Sequence, residues 1–193
     1  MRVRTVGGRE VSARADGIRQ VYADAFCAPP WNEDASAADR YTDRLATDTA
    51  RPGFAAAVAL DTDGTVTGFA TAWTIPAPFP DYGTFPAVAA ALGPRRVADW
   101  LCGAMKVDEL AVGPRARGAG IGAALLSTVT AAAVDGRCWL LTSLRAEPAL
   151  RFYRRAGWHR VPVAIPGEAA LTVLLGPGHP GAVDLDTGGE QGS

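Results

Sequence analysis

The stretch whose reading decides the fold is Val107–Leu126, VDELAVGPRARGAGIGAALL. An apolar run broken by Asp108 and Glu109 meets a Gly-Pro step, two arginines and the glycines 118, 120 and 122, and then a second apolar run begins. The first run reads as a strand. The second places Ile121, Leu125, Val129 and Ala132 at helical spacing and predicts a helix to about Val134. A strand that passes through a glycine-rich turn straight into a helix makes an anion site, because the first helical turn offers free backbone N–H groups and a partial positive charge. Gly118, Gly120 and Gly122 leave the backbone open to close approach, and Arg115 and Arg117 add charge.

Three readings of that turn compete. A P-loop needs Lys and then Ser or Thr after its last glycine, and Ala123 and Ala124 stand there instead. The dinucleotide fingerprint is formally matched by Gly118, Gly120 and Ala123, but the acidic residue expected about 20 positions on is missing from Leu141–Arg145, LTSLR. A tight connection with no ligand is the third.

Working outward, MRVRTV reads as a first strand and Val11–Phe26 as an amphipathic helix carrying Ile18, Val21, Tyr22 and Phe26, stopped by Pro29-Pro30. A second helix is expected from about Ala35 to Asp48. Asp61-Thr62-Asp63-Gly64 between two apolar runs signals a hairpin. From Pro76 to about Pro94, prolines and aromatics predict either a lid or a surface loop pinned by its rings, before a short helical stretch from Arg95. After the glycine turn, Arg137–Leu144 reads as a buried strand. Pro148 and Gly157 bracket a short helix expected to bury Ala149, Phe152 and Ala156. Strands near Trp158–Val163 and Ala169–Leu175 follow.

Composition narrows the function classes. The chain has 193 residues, 48% of them hydrophobic, with 19 basic against 20 acidic side chains. That length fits one good core, and the even charge balance excludes a general polyanion field, so nucleic acid is not an expected partner. Cys27, Cys102 and Cys138 are widely spaced with no CxxC, and the two histidines do not form a zinc motif. No metal is expected, and the cysteines read as buried small hydrophobes in a cytoplasmic protein. The N-terminus lacks a signal-peptide core and no apolar run nears the roughly 20 residues of a membrane span.

Two blocks carry a resemblance. LAVGPRARGAGIGAALL resembles motif A of the Gcn5-related N-acetyltransferase (GNAT) family, with Arg115, Gly118, Gly120, Ile121 and Gly122 at the motif positions. ALRFYRRAGW is similar to the family's later motif, with Phe152-Tyr153 ahead of Gly157-Trp158. The resemblance implies an α/β fold with a central mixed sheet of about six to seven strands flanked by helices, in a domain over residues 1–175; the glycine-rich tail over 176–193 carries no aromatic residue, has little to bury and is expected to be disordered. It implies acetyl-coenzyme A as co-substrate, its pyrophosphate held by backbone N–H groups from Arg117 through Gly118, Ala119, Gly120 and Ile121 to Gly122, and its pantetheine beside Leu110, Ala111 and Val112. It also implies direct transfer to a primary amine, with Tyr153 as acid or sulfur-stabiliser and no acyl-enzyme. Many family members carry Asn where this chain has Ala146, which places the contacts of that side chain in question.

Removing a proton from the attacking ammonium calls for a carboxylate. Asp108 and Glu109 stand in an apolar strand where a charge needs solvent or a partner, and strand alternation lets only one line a given face. Glu109 is preferred, with Asp108 and Glu147 as alternatives and His159 read as a surface residue. The resemblance places the acceptor near the loops carrying Trp31, Asp81 and Tyr82, with Trp73, Phe79, Glu33 and Asp34 as further candidates. The expected acceptor is a small-molecule or peptide amine. A non-catalytic acyl-coenzyme A sensor is the alternative. Dimers are common in the family, but no interface is specified.

Overall fold

The computed structural model describes residues 1–29, 31–167 and 170–182. Seven strands form a mixed sheet in the order β1-β2-β3-β4-β5-β7-β6, with helices flanking it. The chain divides into two compact units, one of Met1–Trp73 with Val107–Ala132, the other of Thr74–Lys106 with the chain from Ala133 on.

In the first unit β1 (Arg2–Val6) pairs antiparallel with β2 (Ala55–Leu60), from Arg2 opposite Leu60 to Val6 opposite Ala56. β2 pairs antiparallel with β3 (Val66–Thr74), and the register shifts between Ala59 and Leu60. The predicted hairpin forms: the Asp61 N–H donates to Thr65 O at 2.9 Å, and the Asp63 carboxylate accepts the Thr65 N–H at 2.9 Å. Asx capping of this kind is why Asp is favoured in turns. β4 runs Met105–Val112, the whole of the expected strand.

The single helix expected over Val11–Phe26 is two, α1 (Gly8–Ala13) and α2 (Ala15–Phe26), broken at Arg14, where φ is −114°. Neither Pro nor Gly marks the break, and both pieces keep an apolar face, so the periodicity runs through it. Arg14 is held by Glu10, which accepts its Nε–H at 3.1 Å. α3 (Ala37–Asp48) begins two residues later than expected and buries Ala38, Tyr41 and Leu45. α2 and α3 pack together, and their buried faces share one core with Val6, Val58, Phe69 and Ala111. Four aromatic rings run through it: Tyr22 is tilted against Phe26 at 4.6 Å and stacks on Tyr41 at 4.7 Å, and Tyr41 stacks on Phe69 at 5.5 Å between centroids.

In the second unit the Pro-rich region is not a loop throughout. Phe85–Leu92 forms α4, followed by α5 (Pro94–Arg96) and a π-turn, Val97–Leu101. Pro86 falls in the first turn of α4, where its missing N–H costs nothing, and the alanines after it are strong helix formers. β5 (Cys138–Ser143) pairs antiparallel with β7 (Leu171–Leu175), and β6 is only His159–Arg160. α7 (Glu147–Arg155) ends before Gly157 at φ 80°, the left-handed position the sequence predicted. The expected burial of Ala149, Phe152 and Ala156 is corrected: all three are half-buried, and the helix buries Tyr153 instead.

The chain stays packed beyond Leu175. His179 is 2% exposed, its Nε2 lies 2.9 Å from Trp100 O, and its Nδ1 accepts the Gly181 N–H at 3.0 Å. A tail beginning at Gly176 does not describe residues 176–182, and its remainder, 183–193, lies outside the described residues.

Candidate active site

The turn after β4 is built to present backbone. Gly113 donates its N–H to Thr67 O at 2.9 Å, tying the end of β4 to β3, and Pro114–Ala116 makes one 3₁₀ turn. Gly118 and Gly120 then take φ of 80° and 75°, conformations that a Cβ disfavours by roughly 1 kcal/mol or more. A Cβ built at either position meets no atom within 4 Å. Space is therefore not what demands glycine there; the backbone path is, and it leaves that path uncovered. α6 starts at Ile121 and no side chain caps it. Among the described residues the backbone bonds of this segment stop at the Arg117 N–H, 3.4 Å from Pro114 O, and resume at the Ala124 N–H, 3.1 Å from Gly120 O. The N–H groups between them are unspent, as an anion site requires. Arg115 is exposed, whereas Arg117 folds back to donate its Nε–H to Val112 O at 3.1 Å. The helix ends at Thr130, short of the expected Val134.

α6 holds the turn against the sheet through Ile121, Leu125, Leu126 and Val129, all buried. Packing it there depends on Gly68 of β3, where an added Cβ would lie 3.0 Å from Leu125 Cδ1 and 3.1 Å from Ala111 O. Leu110, Ala111 and Val112 close β4, with Ala111 buried and its neighbours half-buried.

Just before Leu110 on β4 lies a charged cluster. Arg44 on α3 donates from one Nη to Asp108 at 2.9 Å, and the same nitrogen lies 3.8 Å from Glu109. Its Nε is 3.3 Å from Asp48, which Arg51 also binds. The guanidinium sits over the Tyr41 ring, 5.4 Å from its centroid. Strand alternation predicted that only one of Asp108 and Glu109 would face a given cleft; here both end groups converge on one arginine. Alternation governs the Cβ directions, not the reach of side chains as long as Glu and Arg. Asp108 is the more enclosed, with its side chain 9% exposed against 23% for Glu109.

Burial works against the charge of Arg44, but Asp108, Glu109 and Asp48 offset it and hold its pKa above the usual value. Burial first, and then Glu109 and Glu33, push the Tyr22 phenol upward; burial, then Glu109 and Asp108, do the same to Tyr41. Both phenols therefore stay protonated. Tyr22 donates to Glu33 at 2.8 Å, and the Tyr41 hydroxyl is 3.1 Å from Thr71 Oγ1.

In the second unit Tyr153 is 9% exposed, packed against Phe152 and Trp158 at 5.0 and 5.9 Å between centroids. Ala146, where the family pattern has Asn, is buried at the N-terminus of α7. Glu147 is exposed and paired with Arg151 at 3.0 Å. His159 is half-buried on β6.

The aromatic candidates separate. Trp31 lies edge-on to Phe26 at 5.7 Å, Trp73 is buried under Arg51 at 4.2 Å, and Phe79 packs on Phe85 at 5.3 Å. Those three rings secure their own segments. Tyr82 also packs edge-on against Phe85, at 5.4 Å, but stays 50% exposed, and Asp81 is exposed beside it. The cysteines are not uniformly buried: Cys138 is, and burial pushes its thiol up to about 11, whereas Cys27 and Cys102 are half-buried. Arg44, Tyr22, Tyr41 and Gly68 were missed as site residues. Tyr41, Arg44 and Asp48 do share one face of α3 by their spacing, but the partners on β4 that make the face matter are distant in sequence.

A family profile described as acetyltransferase (GNAT) family matches residues 16–158. The chain belongs to that family, and its enzyme class, acyl-coenzyme A-dependent acetyl transfer, comes with membership. Among curated proteins none matches the chain by sequence. Solved structures share the fold. A histone acetyltransferase HPA2 and related acetyltransferase from Corynebacterium glutamicum is 20% identical, with TM-score 0.63 over 92% of this chain and 97% of that one. The GphF GNAT-like decarboxylase, in complex with isobutyryl-CoA, is 16% identical, with TM-score 0.60 over 91% and 98%. The PaiA N-acetyltransferase from Thermoplasma acidophilum, in complex with coenzyme A, is 12% identical, with TM-score 0.54 over 91% and 99%. No helix among the described residues is long and apolar enough to cross a membrane.

Proposed function

We propose that this enzyme transfers the acetyl group of acetyl-coenzyme A directly to a primary amine of a small molecule or peptide. The observation that carries the reading is the turn at Gly118–Gly120, with positive φ at both glycines, open space where a Cβ would stand, and an uncapped helix start behind them. This fits a pyrophosphate held on the N–H groups of residues 118–122, with pantetheine alongside Leu110, Ala111 and Val112. Arg115 adds charge, whereas the Arg117 N–H is spent on Pro114 O and its side chain on Val112 O.

The co-substrate supplies an activated thioester; this chain's residues move the protons. Glu109 accepts the proton of the incoming ammonium, directly or through water. Tyr153 donates to, or hydrogen-bonds, the departing sulfur, and the Val112 N–H faces the developing oxyanion. Tyr82 and Asp81 offer an exposed ring and a carboxylate to the acceptor. Trp31 contributes through its hold on Phe26 and the α2–α3 loop.

The test is thermal unfolding with acetyl-coenzyme A, coenzyme A and NAD in parallel, followed by thiol release across a panel of amines. Stabilisation by the coenzyme A forms together with amine-dependent thiol release is the expected result. Stabilisation with no release from any amine would return the sensor, and no stabilisation at saturating ligand would overturn the reading of the glycine turn.

A further inference from the structure

Arg44 ties α3 to both acids of β4, and neither the family motifs nor the proposed reaction gives it a task. We propose that Arg44 is the positioning residue of Glu109: anchored on Asp108 and Asp48 and laid over Tyr41, its guanidinium keeps the Glu109 carboxylate ionised and fixed in orientation as proton acceptor. This rests on reading Glu109 as the base.

The surroundings of Glu109 define what Arg44 must do. From α3 come Arg44 itself, Tyr41, and Asp48 backed by Arg51; from α2 comes Tyr22, backed by Glu33; from β4 comes Asp108, with Lys106 two residues before it. Both tyrosines stay neutral, and the Tyr41 ring lies against the Arg44 guanidinium. Adjacent carboxylates in such a place resist double ionisation, and one of them titrates high unless a cation is shared between them. Arg44 is that shared cation. Its distances are unequal, 2.9 Å to Asp108 and 3.8 Å to Glu109. A full ion pair at Glu109 would depress its basicity and tie up the oxygen that must accept a proton. Holding Asp108 tightly and Glu109 loosely leaves Glu109 charged and still basic. Arginine suits this because its planar fork serves several acceptors in fixed directions and never loses its proton.

The experiment titrates the full-length protein carrying ¹³C-labelled glutamate side-chain carboxyls by NMR, with the Glu109 signal assigned by its loss in Glu109→Gln. No acceptor is needed. Arg44→Gln should raise the Glu109 midpoint by about one unit or more, and Asp108→Asn in that background should reverse much of the rise. Asp108→Asn alone should lower the midpoint, since Arg44 is then released to Glu109; this arm decides the matter if Arg44→Gln does not fold. Unchanged midpoints in these variants would overturn the proposal. A Glu109→Gln enzyme with undiminished thiol release would instead overturn Glu109 as base while leaving the coupling to Arg44 measured, so the two failures are separable.

Discussion

The roles proposed for Glu109 and Tyr153 differ, and substitutions tell them apart. If Glu109 accepts the ammonium proton, Glu109→Gln lowers kcat/KM about 100-fold near neutral pH. The deficit should shrink as pH rises toward the amine pKa of about 10, where free amine no longer needs a base. A deficit of constant size across that range would assign Glu109 to binding instead. Tyr153→Phe keeps the ring that packs on Phe152 and Trp158 and removes only the hydroxyl. It should cut kcat at least about tenfold with acetyl-coenzyme A affinity unchanged, as a direct binding titration would show. Equal loss of both would make Tyr153 a packing residue. At this scale the sequence was informative wherever a residue type is bound to backbone conformation: Gly118 and Gly120 take the positive φ that only glycine follows cheaply. Arg44 was not legible, because one arginine among many in a helix declares nothing until its partners 60-odd residues away are known.

Element by element, packing decides. α6 must sit flat on the sheet to aim its first turn, and Gly68 permits the approach. Gly68→Ala would press a methyl toward Ala111 O at 3.1 Å, and a backbone carbonyl cannot move aside as a leucine methyl can. The variant should lose about 1–3 kcal/mol of stability in denaturant unfolding and weaken acetyl-coenzyme A binding by shifting α6. Unchanged stability would mean that Leu125 yields and the sheet accommodates the rest. The break at Arg14 and the helix Phe85–Leu92 show the opposite limits of periodicity. In the first, one apolar stripe passes through a backbone irregularity; in the second, prolines that mark loops elsewhere open a helix.

For the molecule as a whole, the C-terminal segment adds a pH response. His179 receives the Gly181 N–H on Nδ1, so its proton sits on Nε2, pointing at Trp100 O. Burial lowers its pKa, and the Trp100 hydrogen bond only partly opposes that. The folded state thus binds fewer protons than the unfolded one: stability is fully present above the unfolded value of about 6.5 and falls as pH drops through it toward the lower folded value. Thermal midpoints should decline over that window, and His179→Asn should flatten the decline; an equally steep decline in the variant would place its source elsewhere. Acetyl-coenzyme A, binding only the folded form, should raise the midpoint at every pH.

What the sequence by itself determined is what local conformation can encode: the strand Met105–Val112, the glycine turn, the hairpin at Asp61–Gly64, the two motif blocks and, through them, the family. Tertiary structure alone decided which of two neighbouring carboxylates is held tightly, which aromatics are spent on packing, and that residues 176–182 are packed. The reason is physical. Turn geometry and periodicity are properties of a few consecutive residues, whereas a charge's partners and a ring's burial depend on what the rest of the chain brings beside it.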